Sequence, residues 1–232
     1  MQNYLDIFRQ NRIWAEDIRA TDPAYFERRA AGQEPHFFFI GCCDSRVPTE
    51  VLTGAKPGEI FTHRNIANQA DPTDMNMLSA LEYAVLVLKV KHVVVCGHYN
   101  CGGVKAAMSP PGRMLVDHWL QVVRDVELRH KAELNALPDE DSRFKRLVEL
   151  NVLEQVFLLS RTPIVRNAWL AGRSPILHGM VYDLHDGLLN EIVSGVDGED
   201  RAIELRSTVA NEVVTVPASL HRASESELLA SR

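Results

Sequence analysis

The sequence predicts an α/β fold: a central, mostly parallel β-sheet flanked by helices, with a helical segment ahead of the first strand. Three observations carry this. The runs at 36–42 and 92–96 are short, rich in Phe, Ile and Val, and followed or closed by glycine, as strands buried on both faces are. Between them the pattern changes to helical spacing, with Leu78, Leu81, Val85 and Leu88 on one apolar stripe. That helix returns to the 92–96 strand through a very short connection, so strands and helices alternate as in a sheet with right-handed crossovers.

Each element follows from local chemistry. Residues 4–19 place Tyr4, Ile7, Phe8, Trp14, Ala15 and Ile18 near one helical face. Asp22-Pro23 reads as a cap followed by a first-turn proline, opening a short helix that Ala30-Ala31-Gly32 ends. After the strand at 36–42, residues 59–64 form a second short strand, and Asp74 caps a helix over 75–89. Gly102-Gly103 opens a helical stretch that Ser109-Pro110-Pro111-Gly112 breaks. Residues 115–137 and 142–160 read as two long helices with solvated charges outward, and Thr162-Pro163 restarts a helix to residue 171. A fourth strand spans 176–182, a turn lies at His185-Asp186-Gly187, and 188–193 form a fifth strand or edge element. Beyond Ser194 the pattern is mixed, and the segment around 224–227 reads as a frayed tail.

With 232 residues and 46% hydrophobic content the chain can bury a substantial core. The economical division is one α/β domain over 1–194, including its first 34 or so residues, and a C-terminal extension over 195–232. A net charge of -6, a pI near 5.8 and no cluster of Lys and Arg exclude a nucleic-acid surface. No run reaches the ~18 apolar residues of a membrane span, and the amino terminus lacks a secretory pattern. Four cysteines confined to the first half do not form a disulfide framework. A cytoplasmic enzyme with available thiolates, away from membranes, is the expectation.

The chemistry concentrates at two strand ends. His98 and Cys101 sit on one tight loop after the 92–96 strand, and Cys42 ends the 36–42 strand, so the sheet brings three soft donors together beyond its carboxyl edge. We therefore expect Cys42, His98 and Cys101 to bind one Zn2+ ion, with a fourth position for water. Cys43 points away if the strand pleat persists, and Cys96 lies inside an apolar strand. Asp44 has two roles open to it: fourth metal ligand in a closed state, or bidentate partner of Arg46 that leaves the position to water and orients it. Two thiolates raise the pKa of that water relative to an all-histidine site, so activity should rise with alkaline pH. Backbone N–H groups of Gly102 and Gly103 offer a seat for a small anion. The remaining histidines are scattered and none is assigned as a proton shuttle.

Four blocks together resemble the β-class carbonic anhydrases, of the bacterial type: Cys42-x-Asp44-Ser45-Arg46, His63-Arg64-Asn65-Ile66-Ala67-Asn68, Glu82-Tyr83-Ala84-Val85 and His98-x-x-Cys101-Gly102-Gly103. The resemblance implies reversible hydration of carbon dioxide to bicarbonate and a proton by zinc-bound hydroxide. It implies catalytic roles for Asp44 and Arg46. By position Gln33 resembles the family's substrate-oriented amide, and Phe61, Ile66 and Tyr83 resemble apolar pocket residues, some reaching in from a neighbouring subunit. It also implies a homodimer, or a tetramer, in which the first helix is an exchanged arm. Some bacterial members hold inhibitory bicarbonate with a tryptophan, an arginine and a tyrosine. The corresponding positions here are Phe39, Arg64 and Tyr182, and phenylalanine has no N–H to donate, so Arg64 is expected to be structural. Two alternatives stay open: the same site acting on carbon disulfide or carbonyl sulfide, and a non-catalytic, zinc-stabilised binding domain.

Overall fold

The computed structural model describes residues 3–209. Two helices lead, α1 (Tyr4–Thr21) and α2 (Tyr25–Ala30), followed by β1 (Phe37–Cys42), α3 (Thr49–Thr53) and β2 (Ile60–Asn65). Helix α4 (Met75–Glu82) precedes β3 (His92–His98) and α5 (Gly102–Ala107). Then come α6 (Leu115–Trp119), α7 (Gln121–Arg129), α8 (Lys131–Asn135), α9 (Glu140–Ser160), α10 (Pro163–Leu170), β4 (Ile176–Tyr182), β5 (Leu189–Val196) and α11 (Glu199–Val209). The strands form one sheet in the order β2-β1-β3-β4-β5, with the first four parallel and β5 antiparallel on β4.

The register positions the site. Gly41 pairs with Arg64 on one side and with Cys96 on the other, so Cys42 finishes beside the end of β3, where His98 begins its loop. One face of the sheet is sealed by α9, whose Leu147, Val148, Leu150, Val152, Val156 and Leu159 are buried. The helix comes so close that a Cβ on Gly97 would lie 2.7 Å from Val152 Cγ2, and one on Gly179 would lie 2.7 Å from Val152 Cγ1. Those two glycines let the helix rest directly on β3 and β4.

Several expectations need correction. The single helix expected over 115–137 is three, α6 to α8, bent at Leu120 and His130. Both hinge side chains are fully buried, and the backbone leaves helical geometry at each so that they can point inward. The expected helix over 75–89 is α4 followed by a π-helical turn, Tyr83–Leu88, which ends at Lys89 in the left-handed region. Asp22 does not cap α2; its carboxylate pairs with Arg28. The division expected at residue 194 falls inside β5, and α11 follows it with Ala202, Leu205 and Val209 buried in the core. Those three positions follow helical spacing, the signal that the mixed composition concealed. The tail expected around 224–227 lies outside the described residues.

Helix α1 buries none of its side chains, although Asn3 and Asp6 close a capping box at its start. Tyr4, Phe8 and Trp14 remain exposed, and the Trp14 ring lies 5.6 Å from that of Phe26 and 6.4 Å from that of Tyr25, both on α2.

Two predictions follow from the packing. Gly179→Ala forces α9 off the sheet and should destabilise by about 1–3 kcal/mol, seen as a lower urea midpoint at unchanged slope. At the amino ends of β3 and β4, His92 Nδ1 and His178 Nε2 are 3.0 Å apart. Burial first, and neighbouring positive charge second, pushes both pKa values below the ordinary histidine value. A depressed folded pKa contributes stability above the unfolded value near about 6.5, lost as pH falls through the folded one. Urea midpoints should therefore fall between pH 7.5 and 5, less steeply in His178→Gln; equal slopes would refute this assignment.

Candidate metal centre

Cys42, His98 and Cys101 converge beyond the carboxyl ends of β1 and β3, each buried, with one donor atom from each lying within 4.8 Å of the others. The Cys42 and Cys101 sulfurs are 3.9 Å apart. At a metal–sulfur distance of about 2.3 Å, tetrahedral geometry places two sulfurs about 3.8 Å apart. His98 Nδ1 donates to the Tyr99 carbonyl at 2.9 Å, which leaves Nε2 with its lone pair free, buried and, among the described residues, without a hydrogen-bond partner. An orphaned buried acceptor beside two thiols is costly unless a cation joins them.

The backbone prepares the sulfurs as thiolates. Cys42 receives the amides of Asp44 and Ala67, and Cys101 those of Gly103 and Val104. Without a cation the pair shares one negative charge: the hydrogen bond between the sulfurs pulls Cys42 down and pushes Cys101 up. A divalent ion removes that conflict. Cys96 is different, since burial pushes its thiol up to about 12. Cys43 is exposed, as its pleat position requires.

Asp44 takes the second of its two expected arrangements. Its Oδ1 accepts from the Arg46 backbone N and from Nε, both at 2.9 Å, and its Oδ2 accepts from Nη2 at 2.6 Å. Oδ2 stands 3.8 Å from His98 Nε2, near the donor set and outside hydrogen-bond range. The Arg46 guanidinium holds the carboxyl well below the usual carboxylate range, against burial that pulls the other way. Arg46 is tied in turn to the metal loop through the Asn100 carbonyl at 3.3 Å.

Arg64 is structural, as expected. Its Nε donates to the Cys42 carbonyl at 2.8 Å, and Nη2 to those of Asp44 at 2.7 Å and Val47 at 3.0 Å. It therefore clamps the strand end that carries Cys42 and Asp44. Phe39 is buried in an apolar cluster with Val94, Cys96 and Tyr182 nearby. That cluster offers no donor at Phe39, and Arg64 spends its Nε and Nη2 on backbone.

Of the other expected site residues, Ile66 and Gly103 meet at the centre: a Cβ on Gly103 would lie 2.8 Å from Ile66 Cγ2. A backbone hydrogen bond from Gly103 acts on Cys101, while Gly102 has nothing within 4 Å of a Cβ position. Gln33, Phe61 and Tyr83 are not brought to the metal by this chain. Phe61 pairs with Phe38, four positions or roughly 13 Å upstream of Cys42, and its ring lies 5.8 Å from that of Tyr83. Gln33 lies farther back, ahead of β1, with His36 and Lys89.

The sequence reasoning missed the turn that supplies the Ala67 amide. Asn65 closes it by accepting from the Gln69 amide and donating to the Gln69 carbonyl, each at 2.7 Å. Ala67 and Asn68 take positive φ of 64° and 47°, and Asn151 on α9 donates to the Ala67 carbonyl at 3.0 Å. An asparagine within the apolar run Leu150-Asn151-Val152 was the available signal.

A family model described as carbonic anhydrase matches residues 37–189. A carbonic anhydrase from Emericella nidulans is 46% identical over 191 residues, covering 82% of this chain and 84% of that protein. A solved Coccomyxa β-carbonic anhydrase in complex with acetazolamide shares the fold with a TM-score of 0.83 at 37% identity, covering 90% of this chain and 96% of that one. One of two tetrameric β-carbonic anhydrases from the filamentous ascomycete Sordaria macrospora gives 0.78 at 40% identity, with coverages of 83% and 98%. With that family model over residues 37–189, these relatives and the cysteine–histidine–cysteine set in place, the chain belongs to the carbonic anhydrase family, in its β class, and is an enzyme.

Proposed function

We propose that this enzyme interconverts carbon dioxide and bicarbonate at a Zn2+ ion held by Cys42, His98 and Cys101. The observation that carries the proposal is the pairing of Asp44 with Arg46. Zinc in that donor set supplies Lewis-acid activation of water near neutrality. Asp44, kept ionised by Arg46, can only accept hydrogen bonds, so a water or hydroxide beside Oδ2 must point its proton there and its lone pair outward. Arg46 keeps that carboxylate from turning into the donor set, and Arg64 fixes the backbone beneath it. Ile66 lines the apolar side on which carbon dioxide, a nonpolar molecule, would rest.

The same proposal includes assembly as a homodimer, with a tetramer built from dimers. Gln33, Phe61 and Tyr83 then approach the metal of the partner copy, which would explain their distance from the metal of their own chain. Helix α1, with its uncovered aromatic side chains, serves as the arm that clasps the partner. A cytoplasmic location suits four unpaired cysteines.

Stopped-flow hydration assays across pH test the activity: the zinc-loaded protein should turn over carbon dioxide faster as pH rises above neutrality, and inactivity at alkaline pH would overturn the assignment. Cys101→Ala should lose the ion on dialysis, read by metal analysis, because two remaining donors hold it poorly. Asp44→Asn should keep zinc yet lose about 100-fold in kcat/KM; wild-type rates would remove Asp44 from the chemistry. Light scattering should give a mass of two or four chains.

A further inference from the structure

A line of side chains leads away from the metal loop toward α9. Tyr99, whose carbonyl fixes His98 Nδ1, donates its hydroxyl to Glu149 Oε1 at 2.8 Å. Glu149 lies on α9, and its other oxygen accepts from Arg146 Nη1 at 2.9 Å. Arg146 Nε reaches Glu133 Oε1 at 2.7 Å, and Glu133 Oε2 meets the buried His130 at 3.2 Å. The Tyr99 backbone N also donates to the Tyr182 carbonyl at 3.0 Å.

The residue that carries the His98 contact is thus held at both ends: its backbone by β4, its side chain by the helix that seals the sheet. Tyr99 is half-buried and the Glu149 side chain is 23% exposed, so the contact is partly shielded from water. A hydrogen bond to a carboxylate restrained by a guanidinium is strong and directional. Its effect on the metal runs through one rigid unit: the Tyr99 ring sets the Tyr99 backbone, and that carbonyl sets the tautomer and tilt of His98.

Building on the metal site proposed above, we propose that Tyr99 and Glu149 form a positioning pair that keeps His98 Nε2 aimed at the ion and so slows metal loss. Arg146 is the third member, since it holds the carboxylate for the tyrosine. All three are positioning residues in this proposal.

The test uses the full-length protein loaded with Co2+ or Zn2+, followed by release to a chelator and by the Co2+ absorption spectrum. Tyr99→Phe and Glu149→Ala should each release metal about 10-fold faster, in line with loss of outer partners of metal ligands, and should shift the Co2+ bands. Glu149→Gln, whose amide oxygen can still accept the tyrosine hydroxyl, should recover much of the slow release. The double variant should release no faster than either single one, because both remove the same contact. As a control for general loosening, Asp139→Ala removes the cap of α9, where Asp139 Oδ1 accepts from Ser142 N at 2.7 Å; it should lower fold stability and leave release unchanged. Release within twofold of wild type in Tyr99→Phe and Glu149→Ala, with an unshifted spectrum, would overturn the pair. Equal acceleration in Asp139→Ala would overturn it too. A wild-type protein that retains no metal would overturn the metal-site proposal, a result distinct from either of these.

Discussion

Two cysteine sulfurs held 3.9 Å apart in a buried pocket are the constraint around which the rest of the structure is arranged. Two thiolates that close repel one another, and burial strengthens the repulsion. The fold answers with four backbone amides aimed at sulfur, two for each cysteine. It also leaves a lone pair on His98 facing them. Every one of those donors belongs to a segment that something else must hold: Arg64 for the end of β1, Asn151 for the turn at Ala67, and the hairpin of β4 for the loop after β3.

The sheet makes this economical. Parallel strands end on the same side, so neighbours in space can each deliver a ligand from a short loop without a long excursion of chain. The β1–β3 register then decides which residues those are. The price of such precision falls on α9, which must lie close enough to steady both strands, and Gly97 and Gly179 are where that closeness is made. Asp44 is kept from the donor set by a neighbour: Arg46, two residues along, donates to its carboxylate from both its backbone N and its guanidinium.

Much of this was legible in the chain. Buried strands with apolar runs, the alternation of strand and helix, and the donor spacing around residues 98–101 all appear locally. The three-way division of residues 115–135 was not, since Leu120 and His130 look like any other positions in a helical pattern until the core demands their side chains. The helix after β5 was obscured by its acidic start, although Ala202, Leu205 and Val209 keep helical spacing. Gln33, Phe61 and Tyr83 matched the family by position, while the chain itself carries them to the far end of the strands.

The sequence by itself determined the donor set, the order of the strands and the two choices available to Asp44, because residue type and local spacing are covalent properties. Only the tertiary structure decided between those choices. Whether a carboxylate ligates a metal or pairs with an arginine depends on the backbone direction after Cys42, and that direction is set by Arg64 reaching across from β2 to three carbonyls. A contact between residues some twenty positions apart has no trace in local pattern, since it exists only once β1 and β2 lie side by side.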